Sequence, residues 1–139
     1  MAKIVLISCV KSKQPYKCTA ETMYISPLFR GMLGYARQLN PDKIFILSAK
    51  YGLLKLADEI EPYEQTLATM KKVERQIWAQ GVLTQLRDEA DLLRDEFTFL
   101  AGAHYRSELV PHIRNVAVPM RGLGLGLQKQ WLKRQRPQP

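Results

Sequence analysis

Four short runs of β-branched and aromatic residues constrain this chain most: Lys3–Ser8 (KIVLIS), Lys43–Ala49 (KIFILSA), Phe97–Ala101 (FTFLA) and Asn115–Val118. The runs are apolar without interruption rather than alternating, which is the pattern of strands buried on both faces. Between them, apolar residues recur at helical spacing. Met23, Leu28, Met32, Leu33, Tyr35, Ala36 and Leu39 make one such stripe, in a predicted helix Met23–Leu39 with Ser26 as N-cap and Pro27 in a first turn. Asn40-Pro41-Asp42 breaks it. Residues 50–66 read as irregular, and Leu67–Leu93 as a long helix, capped at Thr69 and broken near Gly81. Ala103–Ile113 reads as a short helix, Arg121–Gly126 as a glycine-rich turn, and Leu127–Arg134 as a last helix. Strand and helix in alternation favour a parallel sheet covered on both faces. The expectation is one three-layer α/β domain over residues 1–134, Rossmann- or flavodoxin-like, with about four strands. Residues 135–139 read as a basic, proline-bearing tail that frays. So small a sheet leaves room for an extra edge strand or a homodimer.

With 139 residues the chain suits a single domain, and it can bury roughly two-thirds of its unfolded surface. No apolar run approaches the ~20 residues of a membrane span, and Met1–Ile7 turns polar too soon for a signal peptide. Cys9 and Cys18 make no disulfide framework, so the expected compartment is the reducing cytoplasm. The net charge of +8 is unevenly spread: +7 over residues 1–57, −5 over 58–108 and +6 over 109–139. A basic face of this kind points to an anionic partner, a nucleotide or a nucleic acid.

Ligands of open α/β sheets bind beyond the carboxyl ends of the strands. That rule selects Ser8–Lys13, Ser48–Gly52, Ala101–Arg106 and Pro119–Gly126, each rich in small, basic or hydroxyl residues. Cys9 follows a strand with Lys11 and Lys13 close behind, and nearby ammonium groups favour a nucleophilic thiolate. The bland alternative is a small buried cysteine. Lys11, Lys13 and Lys50 are candidates to hold a phosphate or carboxylate. Ser8 and Ser48 are candidate hydrogen-bond donors, and Tyr51 and Tyr63 can stack on a base. In the acidic cluster Asp58, Glu59, Glu61 and Glu64, the Glu61-Pro62-Tyr63 part is the strongest candidate, with Glu61 shuttling a proton. Gly52, Gly102, Gly122 and Gly124, with Tyr105 and Arg106, complete the substrate-binding set. The Gly122–Gly126 run has the wrong spacing and place for a dinucleotide fingerprint. No phosphate-binding P-loop or nucleophile elbow is present, and Cys9, Cys18, His104 and His112 lack zinc spacing. No cofactor and no metal is therefore expected.

Several of these residues together resemble a bacterial, archaeal and phage family whose members are often termed peroxide-stress protein YaaA-like. They are Leu6–Lys13, Met23-Tyr24 with Ser26 and Phe29, Leu47–Leu54, Glu61-Pro62-Tyr63, Gly102 with Tyr105-Arg106, and Gly122-Leu123-Gly124. The resemblance runs nearly the length of the chain, and Ser48–Leu54 is its most specific block. It implies association with DNA under oxidative stress. A more distant likeness is to the core domain of archaeosine synthase, in which a cysteine and three residues precede Lys-Pro-Tyr. Here Cys9-Val-Lys-Ser-Lys13 precedes Pro15-Tyr16, with Gln14 inserted. That enzyme adds an amine to the nitrile of a deazaguanine base in transfer RNA. The likeness implies Cys9 as nucleophile and Lys13 as a site residue, but not the whole tRNA-modifying role.

Three functions follow as expectations. The first is an enzyme acting on a nucleobase, nucleoside or nucleic acid, with Cys9 as nucleophile, Lys13 and Lys50 positioning an anion, and Glu61 moving a proton. The second is a non-catalytic nucleic-acid-binding stress protein using Lys129, Lys133, Arg134 and Arg136. The third is an enzyme or nucleotide sensor resembling nucleoside deoxyribosyltransferases, with Glu61 as the nucleophilic carboxylate.

Overall fold

A computed structural model describes residues 1–136 of the chain. In chain order its elements are β1 (Lys3–Ser8), β2 (Cys18–Thr19), α1 (Ala20–Met23), α2 (Pro27–Gln38), β3 (Lys43–Ser48), β4 (Gly52–Lys55) and β5 (Glu59–Ile60). There follow α3 (Lys72–Arg87), β6 (Glu96–Leu100), α4 (Ala103–Arg106), β7 (Asn115–Ala117) and α5 (Leu125–Arg134). The central sheet has the order β4-β3-β1-β6-β7. β3, β1, β6 and β7 run parallel, and β4 is an antiparallel edge.

The unbroken apolar runs have a simple cause. Alternate side chains of β1 go to opposite faces, and both faces are covered. Val5 and Ile7 join a cluster with Phe29, Met32, Ala36 and Leu132 of α2 and α5. Ile4 and Leu6 join another with Val82, Leu83 and Leu86 of α3 and with Phe97 and Phe99 of β6. This is the expected three-layer α/β domain. A Cβ added to Gly31 would lie 3.3 Å from Leu132 Cδ1, so a glycine lets α2 and α5 approach closely.

The local readings needed correction at four places before the last helix. The stripe Met23–Leu39 is two helices, because the chain is extended at Tyr24 and pairs with the loop after β1. Gln14 N donates to Met23 O at 2.9 Å and Ile25 N to Ser12 O at 3.1 Å. Ser26 caps α2 as expected, accepting from Phe29 N at 3.1 Å. Second, the segment 50–66 is irregular only in part: it holds the short strands β4 and β5, while residues 61–66 carry no regular element. Ser48 Oγ accepts from the backbone N–H of Tyr51 at 3.0 Å and of Lys50 at 3.3 Å, folding a tight turn into the β3–β4 hairpin. β5 then pairs with β2 in a separate two-stranded ribbon. Third, the long helix Leu67–Leu93 begins at Lys72 and ends at Arg87. Thr66 caps a short 3-10 turn, Leu67–Thr69, and the backbone straightens at Met70 before Glu74 Oε1 accepts from Lys71 N at 2.9 Å. Gly81 causes no break. Fourth, Ala103–Ile113 divides into α4 and a 3-10 turn at Val110–His112.

α5 starts two residues earlier than expected. At its end Gln135 O accepts from Gln38 Nε2 at 2.6 Å. The remainder of the expected tail, residues 137–139, lies outside the described residues. Among the described residues, no helix is long and apolar enough to cross a membrane.

Candidate functional site

From β1 the chain crosses one face of the sheet to β3. From β4 it crosses the other face through α3 to β6, on the far side of β1. The winding therefore reverses between β1 and β6, which opens a crevice outside their carboxyl ends. A pocket of about 600 Å³ occupies this place. It is lined by Cys9, Lys11 and Lys13 after β1, Tyr105 after β6, and Tyr63, Glu64 and Thr66 from the segment leading to α3, with Val10 and Gln65 at the same wall.

Cys9 is buried, and its Sγ donates to Tyr105 Oη at 3.2 Å. The Tyr105 ring meets Trp78 of α3 edge to face at 5.8 Å, and Trp78 Nε1 donates to Ser48 O at 2.8 Å. This links the ends of β1, β3 and β6. Across the pocket, the Lys13 ammonium sits 4.5 Å from the centre of the Tyr63 ring and donates to Lys11 O at 3.2 Å. Burial holds the Lys13 pKa below its ordinary value, while charge on Cys9 and on Glu64 works in the opposite direction.

Behind the pocket wall lies a buried run of hydroxyls. Ser48 Oγ donates to Tyr63 Oη at 2.7 Å, and Tyr63 Oη lies 2.6 Å from Tyr24 Oη. Ser48 and Tyr24 are fully buried. Burial, followed by the negative charge Cys9 carries when ionised, pushes the phenol pKa of Tyr24, Tyr63 and Tyr105 upward. All three are neutral hydrogen-bonding groups at physiological pH.

Of the residues singled out in the sequence, Cys9, Lys11, Lys13, Tyr63 and Tyr105 meet in this pocket. Ser48 supports it through Tyr63, and Ser8 is buried at the end of β1. Tyr51 packs edge to face on Tyr63 at 5.7 Å, and its hydroxyl accepts from Glu61 N at 3.2 Å. Glu61 itself is exposed and does not line the pocket; Glu64 is the carboxylate there. Lys50 is also exposed, over the Tyr51 ring at 5.2 Å. Gly52 has a plain backbone role, with φ +76° in the hairpin turn. Gly102 and Gly124 are the N-caps of α4 and α5, and Gly122 has φ +80°. Arg106 donates to Ala101 O at 2.8 Å.

Three contributors escaped sequence reasoning. Glu64 stood in the acidic cluster with nothing local to set it apart from Glu61. Tyr24 read as part of a helix, and Trp78 as an ordinary apolar helix residue. Among the described residues, no group of three or more His, Cys, Asp or Glu side chains is placed to hold a metal ion.

Residues 4–134 match the sequence profile of a protein family. The chain belongs to DUF6884, a family of unknown function. That match runs from Ile4, the second residue of β1, to Arg134, the last residue of α5, in this DUF6884 chain. No curated protein and no solved structure matches it.

Proposed function

We propose that this DUF6884 chain is an enzyme acting on a nucleobase, nucleoside or nucleic acid, with Cys9 as its nucleophile. The observation that carries the reading is the convergence of the Cys9 thiol, the Lys13 ammonium and the Tyr63 and Tyr105 rings in one pocket at the topological switch point. The Cys9 sulfur adds to an unsaturated electrophilic carbon of the substrate, the π electrons of that carbon move to its neighbouring oxygen or nitrogen, and that atom takes up the thiol proton beside the stabilising Lys13 ammonium. Tyr63 and Tyr105 offer aromatic surface to a planar base, the Tyr63 hydroxyl being taken by Ser48 and Tyr24 behind the wall. The net charge of +8 suits an anionic substrate, and the likeness of residues 9–16 to the archaeosine synthase core is in line with base chemistry.

The test is nucleoside mass spectrometry after incubation with DNA, RNA and a nucleoside pool, comparing the native chain with Cys9→Ser. A nucleoside that appears or disappears only with Cys9 present supports the proposal; turnover that survives Cys9→Ser refutes Cys9 as nucleophile. The position of Glu64 in the pocket favours one second reading, a deoxyribosyltransferase-like reaction with a carboxylate nucleophile. In that case Glu64→Gln abolishes turnover while Cys9→Ser spares it.

A further inference from the structure

Two tyrosines line the Cys9 pocket, and their hydroxyls are in opposite states. That of Tyr63 is taken behind the wall, 2.7 Å from Ser48 Oγ and 2.6 Å from Tyr24 Oη. That of Tyr105 accepts from Cys9 Sγ at 3.2 Å, a hydrogen bond that joins two residues of the pocket lining. A phenol that accepts still has a proton of its own to donate. Burial, and after it the charge of an ionised Cys9, raise the Tyr105 pKa, so this proton is present at neutral pH; hydrogen bonding from Thr66 and from Leu67 N–H to the same oxygen works the other way. The side chain is also held in place. Tyr105 N–H donates to Gly102 O at 3.0 Å in the turn after β6. The ring stands edge to face on Trp78 at 5.8 Å, and Trp78 is itself tied to Ser48 O at 2.8 Å.

Addition of a thiol to an unsaturated carbon leaves one proton to move, from sulfur to the atom that receives the electrons. Two other polar groups of the pocket serve this less well. The Lys13 ammonium is engaged with Lys11 O at 3.2 Å and with the Tyr63 ring, and a protonated amine cannot accept from a thiol. Glu64 is exposed, and the Cys9 hydrogen bond goes to Tyr105 instead.

We propose that Tyr105 is a catalytic residue of this pocket, a proton relay between the Cys9 thiol and the substrate. The inference rests on the reading of Cys9 as a nucleophile and deepens it. As the S–C bond forms, the S–H bond breaks and its proton passes to Tyr105 Oη. The π electrons of the attacked group go to its oxygen or nitrogen, which takes the phenol proton. Tyr105 ends with one proton, as it began, and no thiolate or phenolate has to persist in a buried place. The substrates that such a relay serves have their attacked carbon multiply bonded to oxygen or nitrogen, or conjugated with such a bond.

Two electrophiles of similar size separate the relay from mere access to the thiol. Acrylamide adds to a thiol and must gain a proton; iodoacetamide alkylates it by losing iodide and gains none. The full chain is labelled with each, and the rates at Cys9 and Cys18 are read separately by peptide mass spectrometry. In Tyr105→Phe, which keeps the ring beside Trp78, the acrylamide-to-iodoacetamide rate ratio at Cys9 falls at least about tenfold, while the ratio at Cys18 is unchanged. A change in exposure, thiolate fraction or packing moves both rates and leaves the ratio alone. The native chain supplies a second readout that needs no variant: deuterium oxide slows acrylamide addition at Cys9 more than it slows iodoacetamide alkylation. A Cys9 ratio unmoved by Tyr105→Phe, or equal slowing of both reagents in deuterium oxide, overturns the relay and leaves Cys9 as nucleophile. Failure of both reagents to label Cys9 in the native chain overturns the relay together with the reading on which it rests.

Discussion

Ser48 is the place where a single methyl-sized change should disturb both stability and the pocket. Its hydroxyl is fully buried and makes three hydrogen bonds: it donates to Tyr63 Oη at 2.7 Å and accepts from Tyr51 N at 3.0 Å and Lys50 N at 3.3 Å. Ser48→Ala removes all three and leaves two backbone donors of the hairpin turn without that acceptor. With about 1 kcal/mol for each of the two shorter bonds and less for the third, the loss is about 2–3 kcal/mol. In a domain of this size that lowers Tm by about 6–15 °C. Tyr63→Phe strands the Ser48 hydroxyl and removes the partner of Tyr24, which costs about 2–4 kcal/mol. The two variants share one bond, so the double variant should lose about 1 kcal/mol less than the sum of the singles. Urea unfolding monitored by circular dichroism measures all four proteins. A Ser48→Ala loss below about 0.5 kcal/mol, or strictly additive losses, would refute the hydroxyl chain as the support of the pocket wall.

Gly52→Ala drives a Cβ against Gln85 Oε1 at φ +76°, so it should destabilise the chain by about 2–3 kcal/mol in thermal unfolding, through backbone strain and a displaced Gln85. Gly31→Val should cost about 1–3 kcal/mol by prising α2 from α5, whereas a change on the open side of the same helix, Gly34→Ala, should cost nothing and gain up to about 1 kcal/mol. At alkaline pH the sign of the tyrosine effect is fixed by the raised pKa values of Tyr24, Tyr63 and Tyr105. Above pH ~10 the unfolded chain gives up protons that the folded chain retains, so stability falls as pH rises. Ultraviolet titration should show these three phenolates appearing only with loss of circular dichroism; their ionisation in a still-folded chain would contradict the burial.

The fold was legible because its cause is repeated at every strand. A run such as Ile4–Ile7 is apolar at successive positions only where two covered faces await it, and four such runs separated by helical stripes leave few topologies. The exceptions share a physical origin in contacts between distant residues. β4 is four residues long, opens on a glycine and owes its place to pairing with β3 and to the buried hydroxyl of Ser48, so nothing in Gly52–Lys55 alone declares a strand. Tyr24 leaves helical geometry because the loop after β1 takes its neighbours' backbone groups. For the candidate site, the strand-end rule located Cys9, Lys13 and Tyr105, since it depends only on where strands stop. It could not choose between Glu61 and Glu64. Pro62 and the Tyr51 hydroxyl fix the backbone at Glu61, and the chain without regular structure that follows brings Glu64 to the pocket. Trp78 reaches a carbonyl 30 residues away, which no helical periodicity records.

The edge of the sheet at β4 carries one further consequence. Gln85 of α3 gives its amide oxygen to Leu53 N–H at 2.9 Å and its amide nitrogen to Leu53 O at 3.4 Å. A side chain thereby imitates the donor and acceptor of an absent neighbouring strand, in the middle of the edge where a foreign strand would otherwise dock. Strand-by-strand growth of this sheet, whether in pairing of two copies or in aggregation, is left with β7 as its open side. A chain added there would be separated by β7 from β6, the strand whose end carries the pocket residue Tyr105.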